Sequence, residues 1–132
     1  MNGRMAVRLA LLILIPLPLL SGCDSSPKGS SLPTFDDAQL SQGRDIWMQV
    51  CRNCHLTGVA GAPAVGNHVA WQQRLEKGKD TLYQSALNGI PGQNGWSMPP
   101  RGGMERLSDQ QVQRAVDYML AAQAELAQQQ EP

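Results

Sequence analysis

With 132 residues and eleven basic side chains balanced by eleven acidic ones, the chain has room for one domain and lacks the clustered Lys and Arg of a nucleic-acid surface. Three cysteines and two histidines confine any thiol or imidazole chemistry to a few positions. The first segment is a leader. Arg4 and Arg8 form a basic n-region, Leu9 to Leu20 an apolar h-region interrupted by Pro16 and Pro18, and Ser21-Gly22 the small residues of a cleavage site. It is too short and too proline-broken for a transmembrane helix.

The leader ends in Leu20-Ser21-Gly22-Cys23, which resembles the lipobox of bacterial lipoproteins. That resemblance implies a lipoprotein signal peptide over residues 1–22 and acylation of Cys23 as the new N-terminus. Ordinary cleavage would leave a spare cysteine, a liability in an oxidising compartment. Several acyl chains anchor stably, since each buried methylene contributes about 0.8 kcal/mol. The expected place is the periplasmic side of a bacterial membrane. Asp24 is similar to the inner-membrane retention signal of enteric bacteria, and the outer membrane is the alternative. Losing Arg4 and Arg8 leaves nine basic against eleven acidic residues, a mild acidity that favours partners with basic docking patches.

Residues 23–33 are rich in Ser, Pro, Gly and Lys and read as a flexible, lipid-anchored linker. A helix is expected over Thr34 to Val50. Thr34 and Asp37 suit a capping box, and Leu40, Gly43, Trp47 and Val50 recur at spacings of three and four. Glycine inside a helix costs about 1 kcal/mol relative to alanine, so Gly43 on the apolar stripe points to another backbone packed against it.

That stripe runs into Cys51-Arg52-Asn53-Cys54-His55, two thiols three positions apart followed by an imidazole. This is the c-type haem attachment pattern. Each cysteine adds across one haem vinyl group as a thioether, and the adjacent histidine donates a ring nitrogen to iron. A redox dithiol, half a zinc site and a structural disulfide are the other readings of CxxC. Zinc would need two more ligands, and only Cys23 and His68 remain. A dithiol of the thioredoxin kind belongs in a βαβ context, and no stretch here reads as a strand. Bacterial haem attachment takes place outside the cytoplasmic membrane, in agreement with the leader.

Leu56 to Val69 reads as a loop. Asn67 is placed to cap a helix over Val69 to Lys77 ended by Gly78, and Asp80 another over Thr81 to Asn88 ended by Gly89 in αL. Ile90 to Gly103 is crowded with Gly and Pro. Ser108 and Gln111 form a capping box, followed by Val112, Ala115, Val116, Met119 and Leu120 at i, i+3, i+4, i+7 and i+8. Residues 128–132 read as a disordered tail, and residues 34–127 as one all-α domain.

The second axial position on iron has several candidates. Met48 and Met119 lie within helices, where methionine fills cores. Met98 lies on a loop that Pro99-Pro100 stiffens, and it is the preferred ligand. Met104, His68 and an open site are the alternatives, with His68 read as a solvated surface residue.

Taken together, Cys51-Arg52-Asn53-Cys54-His55, Gly61-Ala62-Pro63, Met98-Pro99-Pro100-Arg101-Gly102-Gly103, Leu107-Ser108-Asp109 and Val116-Asp117-Tyr118-Met119 resemble the class I cytochromes c, and among them the small bacterial cytochrome c-five group. The likeness runs from about Leu40 to Leu120. It implies a single-haem class I fold, with first and last helices crossing at right angles and loops wrapped around the haem. His55 and Met98 would be the axial ligands. Gly43 and Trp47 would meet Ala115 and Tyr118, and the Pro63 carbonyl would accept the histidine's other N–H. Many members carry an extra cysteine pair where this chain has Met104-Glu105-Arg106, so no such disulfide forms. Trp71, Trp96 and Arg101 are candidates for propionate contacts or for covering the haem edge.

The expected function is that of a membrane-anchored electron carrier, not an enzyme, holding one covalent haem c and its iron. Its expected partners are redox proteins, a quinol-oxidising complex on one side and a terminal oxidase or reductase on the other. Two rival readings are a haem-based sensor or gas-binding protein with a labile Met98, and the electron-transfer subunit of a larger oxidoreductase.

Overall fold

The computed structural model describes residues 31–92 and 96–130. The leader, Cys23 and Asp24 lie outside these residues. Five helices follow in order: α1 (Ala38–Gln49), α2 (Arg52–His55), α3 (His68–Leu75), α4 (Lys79–Asn88) and α5 (Asp109–Gln128). Single 3-10 turns stand at Val59–Gly61 and Pro100–Gly103. Among the described residues there is no strand, only an isolated antiparallel bridge between Ile90 and Met98, so the chain is all-α. No helix of the described residues is long and apolar enough to cross a membrane.

The core forms where α1 and α5 interlock. Ile46 and Trp47 of α1 pack with Ala115, Tyr118, Met119, Ala122 and Leu126 of α5. A β-carbon built on Gly43 would fall 2.7 Å from the Arg114 carbonyl carbon and 3.2 Å from Tyr118 Cβ. The two backbones therefore meet where a side chain has no room, which accounts for glycine in mid-helix. Trp47 and Tyr118 are wholly buried, their ring centroids 5.8 Å apart.

α1 starts at Ala38 rather than near Thr34, because Asp37 itself is the cap. Its carboxylate accepts from the amides of Gln39 and Leu40 at 2.8 Å. The freed residues pack on the core instead. Phe35 stands edge-on to Tyr118, 6.1 Å between centroids, and the Tyr118 hydroxyl donates to Pro33 O at 3.0 Å. Leu32 also packs against the cluster. The end of the stretch expected to be a flexible linker is thus docked. At the other terminus, α5 stays helical through Gln128 and the Gln130 amide donates to Gly66 O, so the tail expected to be disordered is ordered over those residues.

A second cluster joins α4 to α5 through Ala86, Val112 and Val116, with Leu82, Tyr83 and Met98 packed against it. Asp117 of α5 accepts from the Tyr83 hydroxyl at 2.6 Å and pairs with Lys79 at 2.6 Å. Gly78 rather than Asp80 occupies the N-cap of α4; Asp80 sits in the first turn, where a carboxylate favours the helix dipole. α3 ends at Leu75, earlier than expected, and Asn67 caps it through Ala70 N. Ser108 and Gln111 form the expected reciprocal box.

Candidate functional site

Val50, at φ −122° and ψ −64°, ends α1, and the chain turns directly into the CxxCH segment. The amides of Cys54 and His55 both bond to Cys51 O, at 3.2 and 2.9 Å, so the motif is a single helical turn. That turn places the two cysteines i and i+3 on one face. Cys51 lines an apolar cleft between α1, α5 and the Met98 turn, while Cys54 is half-exposed.

His55 is 7% exposed and also lines the cleft. Its Nδ1 lies 3.0 Å from Pro63 O. A carbonyl only accepts, so the proton sits on Nδ1 and the Nε2 lone pair is left bare. Burial pushes the imidazole's pKa down, against the opposing pull of the Pro63 bond, and Arg74 adds to the lowering. Each influence except the Pro63 bond keeps the ring neutral, the form that binds a metal. Burial also pushes the Cys51 thiol up to about 11, with Cys54 adding to the rise.

The loop carrying Pro63 is itself fixed. Gly58, at φ +85°, makes the reversal after His55, Val65 N bonds back to His55 O at 2.7 Å, and the buried Trp71 indole donates to Ala64 O at 2.8 Å. Trp71 therefore acts as a brace for the Pro63 loop.

Met98 enters the cleft from the Gly and Pro-rich segment. It exchanges both backbone hydrogen bonds with Ile90, at 2.9 and 3.0 Å. Gly89 precedes the bridge at φ +77°, ψ +175°. This lies outside the expected αL region, because the chain leaves α4 against Met98; a β-carbon at Gly89 would sit 2.5 Å from Met98 O. After Pro99-Pro100, residues 101–103 all take positive φ. A β-carbon on Gly102 would fall 2.5 Å from Val50 Cγ1, so this turn rests on the residue just before Cys51.

The cleft is narrow, with about 30 Å³ of free volume, and its walls are almost wholly apolar. Val112, Ala115, Val116 and Met119 of α5 form one side. Met119 is therefore core and cleft wall together, Met104 is half-buried, and His68 is exposed on α3 with Gln72 and Gln123 beside its ring nitrogens. Trp96 is 62% exposed. Arg101 lines the cleft and also bonds outward to Leu107 and Asp109. Sequence reasoning missed the Ile90 bridge and the Gly102 contact. Neither leaves a periodic signal, although the run of Gly and Pro marked the region.

The donor set fits a haem. The Cys51 thiol, a neutral imidazole with a bare nitrogen and a thioether border an apolar slot, and Cys54 follows Cys51 on the same turn. The buried indole N–H of Trp47, another lining residue, has no acceptor, so an acceptor on an occupant would satisfy it. Among the described residues no three His, Cys, Asp or Glu side chains gather as a metal cage needs.

Residues 38–119 match the family model described as cytochrome c oxidase, cbb3-type, subunit III. The chain is 41% identical over 78 residues to cytochrome c-555 of Chlorobaculum tepidum, covering 59% of this chain and 71% of that protein. It is 35% identical over 77 residues to cytochrome c5 of Ectopseudomonas mendocina, covering 57% and 83%. Among solved structures it resembles a chain in the crystal structure of an electron transfer complex of nitrite reductase with cytochrome c. There the identity is 36% and the TM-score 0.55, over 62% of this chain and 94% of that one.

Proposed function

This chain belongs to the c-type cytochromes, electron carriers with covalently bound haem c, and from that premise we propose that His55 and Met98 bind the iron from two sides while Cys23 tethers the carrier to a membrane. The observation that carries the reading is the buried His55 ring, its Nδ1–H held by Pro63 O in the same apolar cleft that Met98 enters. Cys51 and Cys54 supply the thioethers. The bound haem supplies a one-electron couple between Fe(II) and Fe(III).

The residues set the conditions for that couple. The Pro63 bond fixes the imidazole's tautomer and orientation and raises its basicity. The Ile90 bridge holds Met98 by its backbone, so the thioether needs little movement between oxidation states. The apolar walls exclude water and, with a thioether ligand, favour the reduced iron and raise the potential. With His55 and Met98 both holding the iron, no position would be left on the metal for a substrate.

Its partners are redox proteins of respiration, a quinol-oxidising complex as donor and a terminal oxidase or reductase as acceptor. The neighbouring structure of a cytochrome c with nitrite reductase supports an acceptor of the reductase kind. Contacts of this sort are small and transient. A second reading, an electron-transfer subunit of a larger oxidoreductase, draws on the family model's description as an oxidase subunit.

The visible spectrum of the matured protein tests the proposal. The parent should give a positive pyridine haemochrome and, when oxidised, the weak long-wavelength band of sulfur on ferric iron. Met98→Ala should keep the haem and lose that band. A parent without the band, or one that binds carbon monoxide readily, would overturn the two-sided ligation. Cys23→Ser should move the protein from the membrane fraction to the soluble fraction.

A further inference from the structure

We propose that Arg101 is a positioning residue for Met98, its guanidinium pinning the turn after the methionine to the start of α5. The proposal rests on Met98 being an axial ligand, and its test separates the two claims.

Arg101 holds φ +53° and ψ +27°, and only Ala60 shares a positive φ among the described non-glycine residues. A residue with a β-carbon keeps that conformation when its surroundings over-determine it, and such strain gathers at functional sites. Gly102 and Gly103, which follow, take positive φ without that penalty. What arginine adds over glycine is its head group. Nη1 donates to Leu107 O at 2.8 Å and Nη2 to Asp109 Oδ1 at 2.6 Å.

These acceptors flank Ser108, the residue that caps α5. The planar fork therefore spans the helix start, a geometry that a lysine ammonium cannot reproduce. The Asp109 carboxylate is 67% exposed and adds little by itself. The partly buried bond to Leu107 O carries more.

Between Arg101 and Met98 stand only Pro99 and Pro100, whose rings fix φ; Pro99 sits at −70°. A displacement at Arg101 therefore passes to Met98 with little loss along the chain. Upstream the Ile90 bridge fixes the methionine's backbone. Downstream the guanidinium sets how far the turn stands from α5, whose Val112, Val116 and Met119 line the cleft beside Met98.

The test uses matured haem protein carrying Arg101→Gln, Arg101→Gly or Arg101→Lys, with Asp109→Asn and Met98→Ala for reference. All are read well below their unfolding temperatures. The readouts are the long-wavelength ferric band and the rate of carbon monoxide binding to the ferrous form, which a purely structural role leaves unchanged. Arg101→Gln and Arg101→Gly should lose at least half the band and bind carbon monoxide at least tenfold faster. Arg101→Lys should fall between them and the parent, and Asp109→Asn close to the parent. A Gly or Lys variant with the parent's band and inertness overturns the proposal, so it stays testable if the Gln variant does not mature. If Met98→Ala keeps the band, the ligand assignment itself is wrong; if it loses the band while the Arg101 variants keep it, only the positioning role falls.

Discussion

The α1–α5 crossing and the segment from Gly89 to Gly103 border the same cleft, yet they are held by different means. At the crossing, buried aromatic and aliphatic side chains interlock over a glycine contact. In the segment, the Ile90–Met98 backbone hydrogen bonds, the Pro99-Pro100 pair and the positive φ angles of residues 101–103 fix the turn that carries Met98. The first arrangement resists disturbance through packing density. The second depends on a few conformations, so a small change there should reach the iron while leaving the fold standing.

Gly43→Val should break this contrast most forcefully from the packing side. Its side chain enters the Arg114 backbone, and overpacking of this kind costs about 3 kcal/mol, or a fall of roughly 15 °C in Tm. At low temperature its long-wavelength ferric band should match the parent's; a lost band would show that the crossing, too, sets the ligand. Gly89→Ala probes the other region. Forcing alanine into φ +77°, ψ +175° against Met98 O costs about 2 kcal/mol, and here the band should weaken together with Tm. An unaltered band would remove the distinction drawn between the two regions.

Tyr118→Phe sharpens it on a smaller scale. Removing the bond to Pro33 O should cost about 1 kcal/mol in chemical denaturation, with no change in reduction potential. The smallest effect is one of pH. Burial raises the pKa of Tyr83, and its bond to Asp117 adds to the rise; burial likewise raises that of Tyr118. A folded value above the unfolded one gives stability that is complete below the ordinary tyrosine pKa near 10 and is lost as pH rises through the higher folded values. Denaturation midpoints should therefore hold level to about pH 10 and then fall. Tyr83→Phe should remove part of that fall, since no phenol then titrates beside Asp117 of α5.

The same contrast governs how much the amino-acid order revealed. Spacing of three and four foretold the α1 and α5 stripes, the Gly43 contact and the Ser108 box, because each follows from helical geometry alone. CxxCH pointed to the cleft because two thioethers and an imidazole demand adjacent positions. The start of α1 was misplaced, since Thr34 and Asp37 are both good caps and only the docking of Phe35 on Tyr118 decides between them. Gly89, Ile90 and the Arg101 fork left no readable period. Their partners, Met98, Leu107 and Asp109, are chosen by the path of an irregular chain.

The docking of Leu32 and Pro33 on the core bears on how the carrier finds its partners. Were Cys23 acylated as proposed, roughly nine residues would separate the anchor from Leu32, a chain length of at most about 30 Å at full stretch. The haem domain would then patrol a thin layer over the bilayer and meet other lipid-bound proteins by sideways diffusion, at a local concentration set by the membrane area rather than by the volume of the compartment.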